Sequence, residues 1–123
     1  MARRAVPEQT ALRELAQAVH RLEAAYRILR PDLKDREKIS LRYYRVQGRA
    51  AWILTTFHRL LPEDAAYRLQ GRLGTPVLSS PFDETIPSHR AVLRLRQTIR
   101  ELLEAVRPVL EKGGPDDPWD ERP

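Results

Sequence analysis

The sequence predicts an all-α protein: an antiparallel helical bundle of three long helices and one short helix, followed by a disordered acidic C-terminal tail. Three observations predict it. Apolar residues recur at alternating steps of three and four along three long segments. No alternation of the strand type runs beyond about four residues, and prolines or glycines separate the segments. In the first segment Leu12, Leu15, Val19, Leu22, Tyr26 and Leu29 follow one another at steps of 3, 4, 3, 4 and 3. At about 100° per residue, that spacing keeps all six on one side of a helix. Thr10 is placed to cap its start and Pro31 to end it. Residues 1–9 are read as a flexible N-terminus and residues 10–112 as the bundle domain.

The second segment carries Ile39, Tyr43, Val46, Ala50, Ile53, Phe57 and Leu60 at the same spacing, with Asp35 as its cap and Pro62 closing it. Its latter half, AAWILTTFHRLL, is apolar on most sides, which places residues 50–61 in the middle of the bundle and Trp52 in the core. A shorter helix is expected from Pro62 to about Leu73. Proline suits a first turn, Glu63 and Asp64 suit the positive end of the helix dipole, and Gly74 ends it. Residues 75–87, TPVLSSPFDETIP, contain three prolines and read as an extended loop. In the last segment Val92, Leu95, Ile99, Leu102, Val106 and Val109 repeat the pattern, with Ser88 as cap and Gly113-Gly114 as stop. Pro108 should kink the final turn or end the regular helix. Short connections make consecutive helices antiparallel neighbours.

A chain of 123 residues fits one domain with a single core. The absence of cysteine excludes disulfides, thiolate zinc sites and cysteine nucleophiles. No stretch reaches the ~18–20 apolar residues of a membrane span, and the opening MARRAVPEQT lacks the apolar run of a signal peptide. The expectation is a cytoplasmic protein with no membrane partner. Asn is absent and Met occurs once, a depletion of heat-labile residues that points to a thermophile.

Charge is the more informative count. Nineteen Arg and three Lys face 17 acids, a net charge of +5. Four of the acids lie after Gly114, so residues 1–114 carry 21 basic and 13 acidic groups. A surplus of eight positive charges favours a phosphate-rich partner. On the second helix Arg42, Arg45, Arg49, Trp52, Thr56 and Arg59 form a line one residue before the apolar seam. Arg96, Arg100 and Arg107 share one side of the last helix. Arg42, Arg45, Arg49, Arg59, Arg96 and Arg100 are therefore the candidate contacts to RNA or DNA backbone, since the guanidinium fork matches phosphate oxygens. If helices 2 and 4 lie side by side, these arginines line one groove. Tyr44 and Trp52 are candidates for stacking on unpaired bases. The competing reading buries Trp52 and pairs the arginines with Glu14, Glu23, Glu101 or Glu104.

The tail, residues 113–123, is acidic and proline-rich, and Trp119 within it is a candidate anchor for a protein partner. Leu54, Leu61, Leu93, Leu103 and Leu110 lie off the seams and leave room for a helical dimer. Enzyme signatures are poor. His20 and Glu23 share a side of the first helix, but a bundle metal site needs paired Glu-x-x-His motifs, so no metal or other cofactor and no catalytic residue is assigned. Ser88 and His89 read as a helix cap followed by a solvent histidine. No phosphate-binding, dinucleotide-binding or nucleophile-elbow motif is present.

Two likenesses bear on these readings. The stretch DETIPSHRAVLRLRQTIRELL resembles the four-helix HEPN proteins, in which a loop and then a histidine open the last helix. Asp83 and Glu84 stand in the region where that family carries a catalytic arginine. The resemblance therefore implies an HEPN-like fold without nuclease activity. In size, helicity and charge the chain is also similar to the small helical subunits of CRISPR effector complexes. That likeness implies a non-catalytic subunit touching nucleic-acid backbone inside a larger assembly.

Overall fold

The structure is a computed structural model that describes residues 2–73 and 86–113, with side chains over 9–73 and 86–111. Four α-helices account for most of them: α1 Ala2–Ile28, α2 Arg36–Thr56, α3 Glu63–Leu73 and α4 His89–Gly113. A 3₁₀ turn, His58–Leu60, links α2 to α3. Among the described residues there is no strand. No helix among the described residues is long and apolar enough to cross a membrane. Residues 74–85 and 114–123, including Gly74 and Trp119 and most of the expected loop and tail, lie outside the described residues.

The apolar seams become the core. Leu15, Val19, Leu22 and Leu29 of the α1 segment are buried against Val46, Ala50, Ile53 and Phe57, and against Val92, Leu95, Ile99, Leu102 and Val106 of α4. Leu12, Tyr26, Ile39, Tyr43, Leu60 and Val109, which sit towards the ends of the seams, are half-buried. The short helix adds Ala66, Leu69 and Leu73. α2 packs on each of the other three helices, and so does α4. Residues 50–61 do not vanish inside, however. Trp52, Thr55 and Thr56 face solvent, and Trp52 is 52% exposed, contrary to its expected place in the core. Leu54 and Leu61, expected as spare apolar surface for a dimer, are buried in the chain's own core.

The caps at Asp35 and Ser88 form as read. Asp35 accepts hydrogen bonds from the backbone N–H groups of Glu37 and Lys38 at 3.1 and 3.2 Å. Ser88 Oγ accepts from the N–H of Ala91 at 3.1 Å. Both satisfy donors that a helix start leaves orphaned.

The other boundaries differ from the expectation. α1 starts at Ala2 rather than Thr10, which lies inside the helix, so residues 2–9 extend it instead of forming a flexible start. Ala2, Arg3, Arg4 and Ala5 are strong helix formers, and the helix continues through Pro7 into the seam despite the N–H donor that proline lacks. α2 ends at Thr56 rather than running to Pro62. Pro62 forces its predecessor out of helical geometry, and Leu61 is extended at φ −99°, ψ 156°. The carbonyl of Pro62 instead accepts the first bond of α3, from the Ala66 N–H at 2.9 Å. α4 continues through Pro108 to Gly113. Pro108 faces solvent, where the carbonyl left without its helical donor can turn to water.

The C-terminal carbonyls of α1 and α3 are closed by side chains from other helices. α1 is followed by Leu29, Arg30 and Pro31, with no glycine to form the usual left-handed cap. Instead Arg42 Nη1 of α2 donates to the Ile28 carbonyl at 2.9 Å. Arg96 Nη1 of α4 donates to the carbonyls of Tyr26 at 3.1 Å and Leu29 at 2.6 Å. The Arg96 guanidinium also lies 4.2 Å from the centre of the Tyr26 ring. Two cations thus sit at the negative end of the α1 dipole. The buried amide of Gln47 in α2 likewise donates to the Leu73 carbonyl at the end of α3, at 3.0 Å.

Candidate nucleic-acid interface

The arginine stripe of α2 is divided by these contacts. Its first member, Arg42, is half-buried and bound to the end of α1. Arg96 is half-buried at the same place, approaching from α4. The two do converge, as a groove between helices 2 and 4 requires, but they converge on backbone carbonyls. Arg45 and Arg59 are exposed, Arg49 is half-buried, and Arg100 is exposed on α4. None of these four has a carboxylate partner among the described residues. Of the four acids considered as partners, Glu101 alone forms an ion pair among the described residues, and it pairs with Arg72 of α3. Arg30 forks onto Asp32 in the turn after α1, and that contact holds the Asp32 carboxyl below the usual carboxylate range.

The middle of the stripe opens onto a groove of about 210 Å³ between α1 and α2. Ala18 and Arg21 of α1 form one side; Gly48, Arg49 and Trp52 of α2 form the other. Because α1 and α2 are antiparallel, the flanks of the same hand face each other. Arg21 lies one residue before Leu22 of the α1 seam, just as Arg49 and Trp52 lie one residue before Ala50 and Ile53 of the α2 seam. Sequence reasoning missed Arg21, although this offset was a signal that could have found it. Arg21 is exposed and has no carboxylate partner among the described residues.

Three local features shape the groove. Ala18, buried and short, keeps the α1 wall low. Gly48 leaves a notch in α2: a Cβ added there would meet no atom within 4 Å. Helix packing therefore does not require this glycine, which costs α2 roughly 0.5–1 kcal/mol against alanine. Trp52 leans on the buried Phe57 ring edge to face, with centroids 5.3 Å apart and planes at 78°, so its indole is braced while half its surface stays in water. The Nε of Arg49 is shielded from solvent and has no hydrogen-bond partner.

Tyr44, the other stacking candidate, is half-buried and meets Tyr43 edge to face at 5.2 Å, away from the lining of the groove. Burial, with the neighbouring Tyr44 phenol second, pushes the Tyr43 phenol above its ordinary range. His20 and Glu23 gather no further ligands: among the described residues no three His, Asp or Glu side chains come together. His89 opens α4 and is exposed.

No family model, curated protein or solved structure matches this chain. Its chemistry must be read from the groove itself. Two guanidiniums without carboxylate partners among the described residues line an apolar notch from its two walls, and an aromatic ring stands at one side.

Proposed function

We propose that this chain is a non-catalytic, basic helical subunit or adaptor that holds the phosphate backbone of RNA or DNA within a larger complex. The observation that carries this reading is the line of Arg21, Arg45 and Arg49 beside Trp52, on one face of the α1–α2 pair and without carboxylate partners among the described residues. Exposed ion pairs contribute only about 0–1 kcal/mol, so a cluster left unpaired sacrifices little stability and keeps its field directed outward. Phosphate contacts position a strand without reading its sequence, which suits a subunit whose specificity resides elsewhere in an assembly.

A salt titration tests the reading. The full chain is mixed with labelled single-stranded and duplex oligonucleotides, and affinity is followed from low to physiological ionic strength. Affinity should fall steeply with salt, and replacing both Arg45 and Arg49 by Glu should weaken it at least tenfold. Each arginine that touches phosphate should contribute about 0.7–0.9 to the slope of log affinity against log salt. Absence of binding at low salt, or binding indifferent to the double substitution, removes the proposal.

A further inference from the structure

We propose that the groove between α1 and α2 selects single-stranded nucleic acid by stacking one unpaired base against Trp52 over the notch at Gly48, with the flanking phosphates on Arg21 and Arg49. This rests on the backbone-binding reading above and adds the class of strand that the site prefers.

The shape of the groove limits its occupant. About 210 Å³ is less than the roughly 300–1,000 Å³ of pockets that enclose drug-sized ligands, yet it admits one flat ring system. The open space beside Gly48 lies on the same side of α2 as Trp52, one turn away. Any larger side chain at position 48 would fill it. Phe57 holds the indole from within, so little motion is lost when a second ring stacks on it.

The charges complete the match. A nucleotide presents a ring and a phosphate a short distance apart, and the groove presents an indole with a guanidinium on each wall. Arg49 lines the groove with no carboxylate partner among the described residues, which leaves its guanidinium to a phosphate oxygen entering there. A duplex cannot use the same arrangement. Its bases are paired and stacked, and bringing one to Trp52 means extracting it from the helix. The duplex therefore meets the arginines alone.

The test compares three ligands of equal length: a 12-nucleotide single strand of thymidines, the same strand with every base removed, and a duplex. The full-length Trp119→Phe chain is used, so that all tryptophan fluorescence comes from Trp52. The base-bearing strand should quench that fluorescence and bind at least fivefold more tightly than the abasic strand. The duplex should bind with little quenching. Trp52→Ala and Gly48→Leu should each erase the advantage of the bases while leaving affinity for the abasic strand unchanged. Neither variant alters charge, and thermal melts verify that both fold. Equal affinity for the base-bearing and abasic strands, or a base preference that survives both substitutions, overturns the stacking proposal while leaving backbone binding standing. Failure of all three ligands to bind at low salt overturns both.

Discussion

The end of α1 and the middle of the α1–α2 groove both draw on the arginine stripe of α2, and they put it to opposite uses. At the end of α1, Arg42 and Arg96 are drawn inward to the carbonyls of Tyr26, Ile28 and Leu29, where the helix runs out of its own donors. One and two turns further along α2, Arg45 and Arg49 find no such carbonyls, because the flank of α1 opposite them is helix interior with its backbone already bonded. An arginine's role here is decided less by its own position than by whether a helix terminus lies within its reach. Spacing locates a stripe; orphaned backbone groups then divide it.

The most severe way to break the comparison is to remove the scaffold that both regions share. Ile53 is fully buried on α2, so Ile53→Asp places an unpaired charge in the core. It should cost several kcal/mol and abolish the cooperative thermal transition followed by circular dichroism. A soluble variant that melts cooperatively near the parent temperature would show that this position of α2 does not belong to the core.

A crossed pair of substitutions sharpens the comparison. Arg96→Ala removes two hydrogen bonds and a ring contact from the end of α1. It should cost about 2 kcal/mol and lower Tm by roughly 6–10 °C. Arg45→Ala should change stability by less than about 0.5 kcal/mol and show its effect in the salt titration instead. If the two variants melt alike, the division of the stripe is wrong.

Gly48→Ala tests the notch itself. Added to open space within a helix, the methyl group should stabilise the fold by about 0.5–1 kcal/mol, a rise of a few degrees in Tm. A lower Tm would mean that the glycine serves packing after all.

The smallest expected effect is at Asp32, where an exposed pair acts locally. The folded carboxyl titrates below its unfolded value because of Arg30. Its contribution is therefore present above the ordinary carboxylate value and is lost as the pH falls through the lowered one. Acid melts of Asp32→Asn and the parent chain should converge at the lowest pH and differ slightly near neutrality, with the parent the more stable.

The helices and their buried faces were legible because burial imposes a period that composition cannot hide: Leu15, Leu22, Ile53, Ile99 and Leu102 all fall where the repeat places them. Helix ends were less legible. Thr10 looks like a cap, with Pro7 just before it, yet the helix runs through both from Ala2; Pro62 looks like a stop for α2, yet its geometric demand falls on Leu61 and its carbonyl begins α3. Trp52 emerges from the core because a run of apolar residues exceeds what one helical face can bury, and the surplus must come out somewhere. Within the site, the α2 arginines could be read from spacing. Arg21 and the commitment of Arg42 could not be read from one helix alone, since each depends on which flank of α1 lies across from α2.

The clasp at the end of α1 also bears on how the molecule acquires its shape. Its closing hydrogen bonds come from 14 residues away in Arg42 and from 67 and 70 residues away in Arg96. An isolated α1 peptide lacks both, so its last turn frays, and the native ending appears only when α2 and α4 have docked. Amide protons held by the Tyr26 turn should consequently exchange with solvent by the same global opening that releases α4, binding the two distant ends of the chain into one cooperative unit.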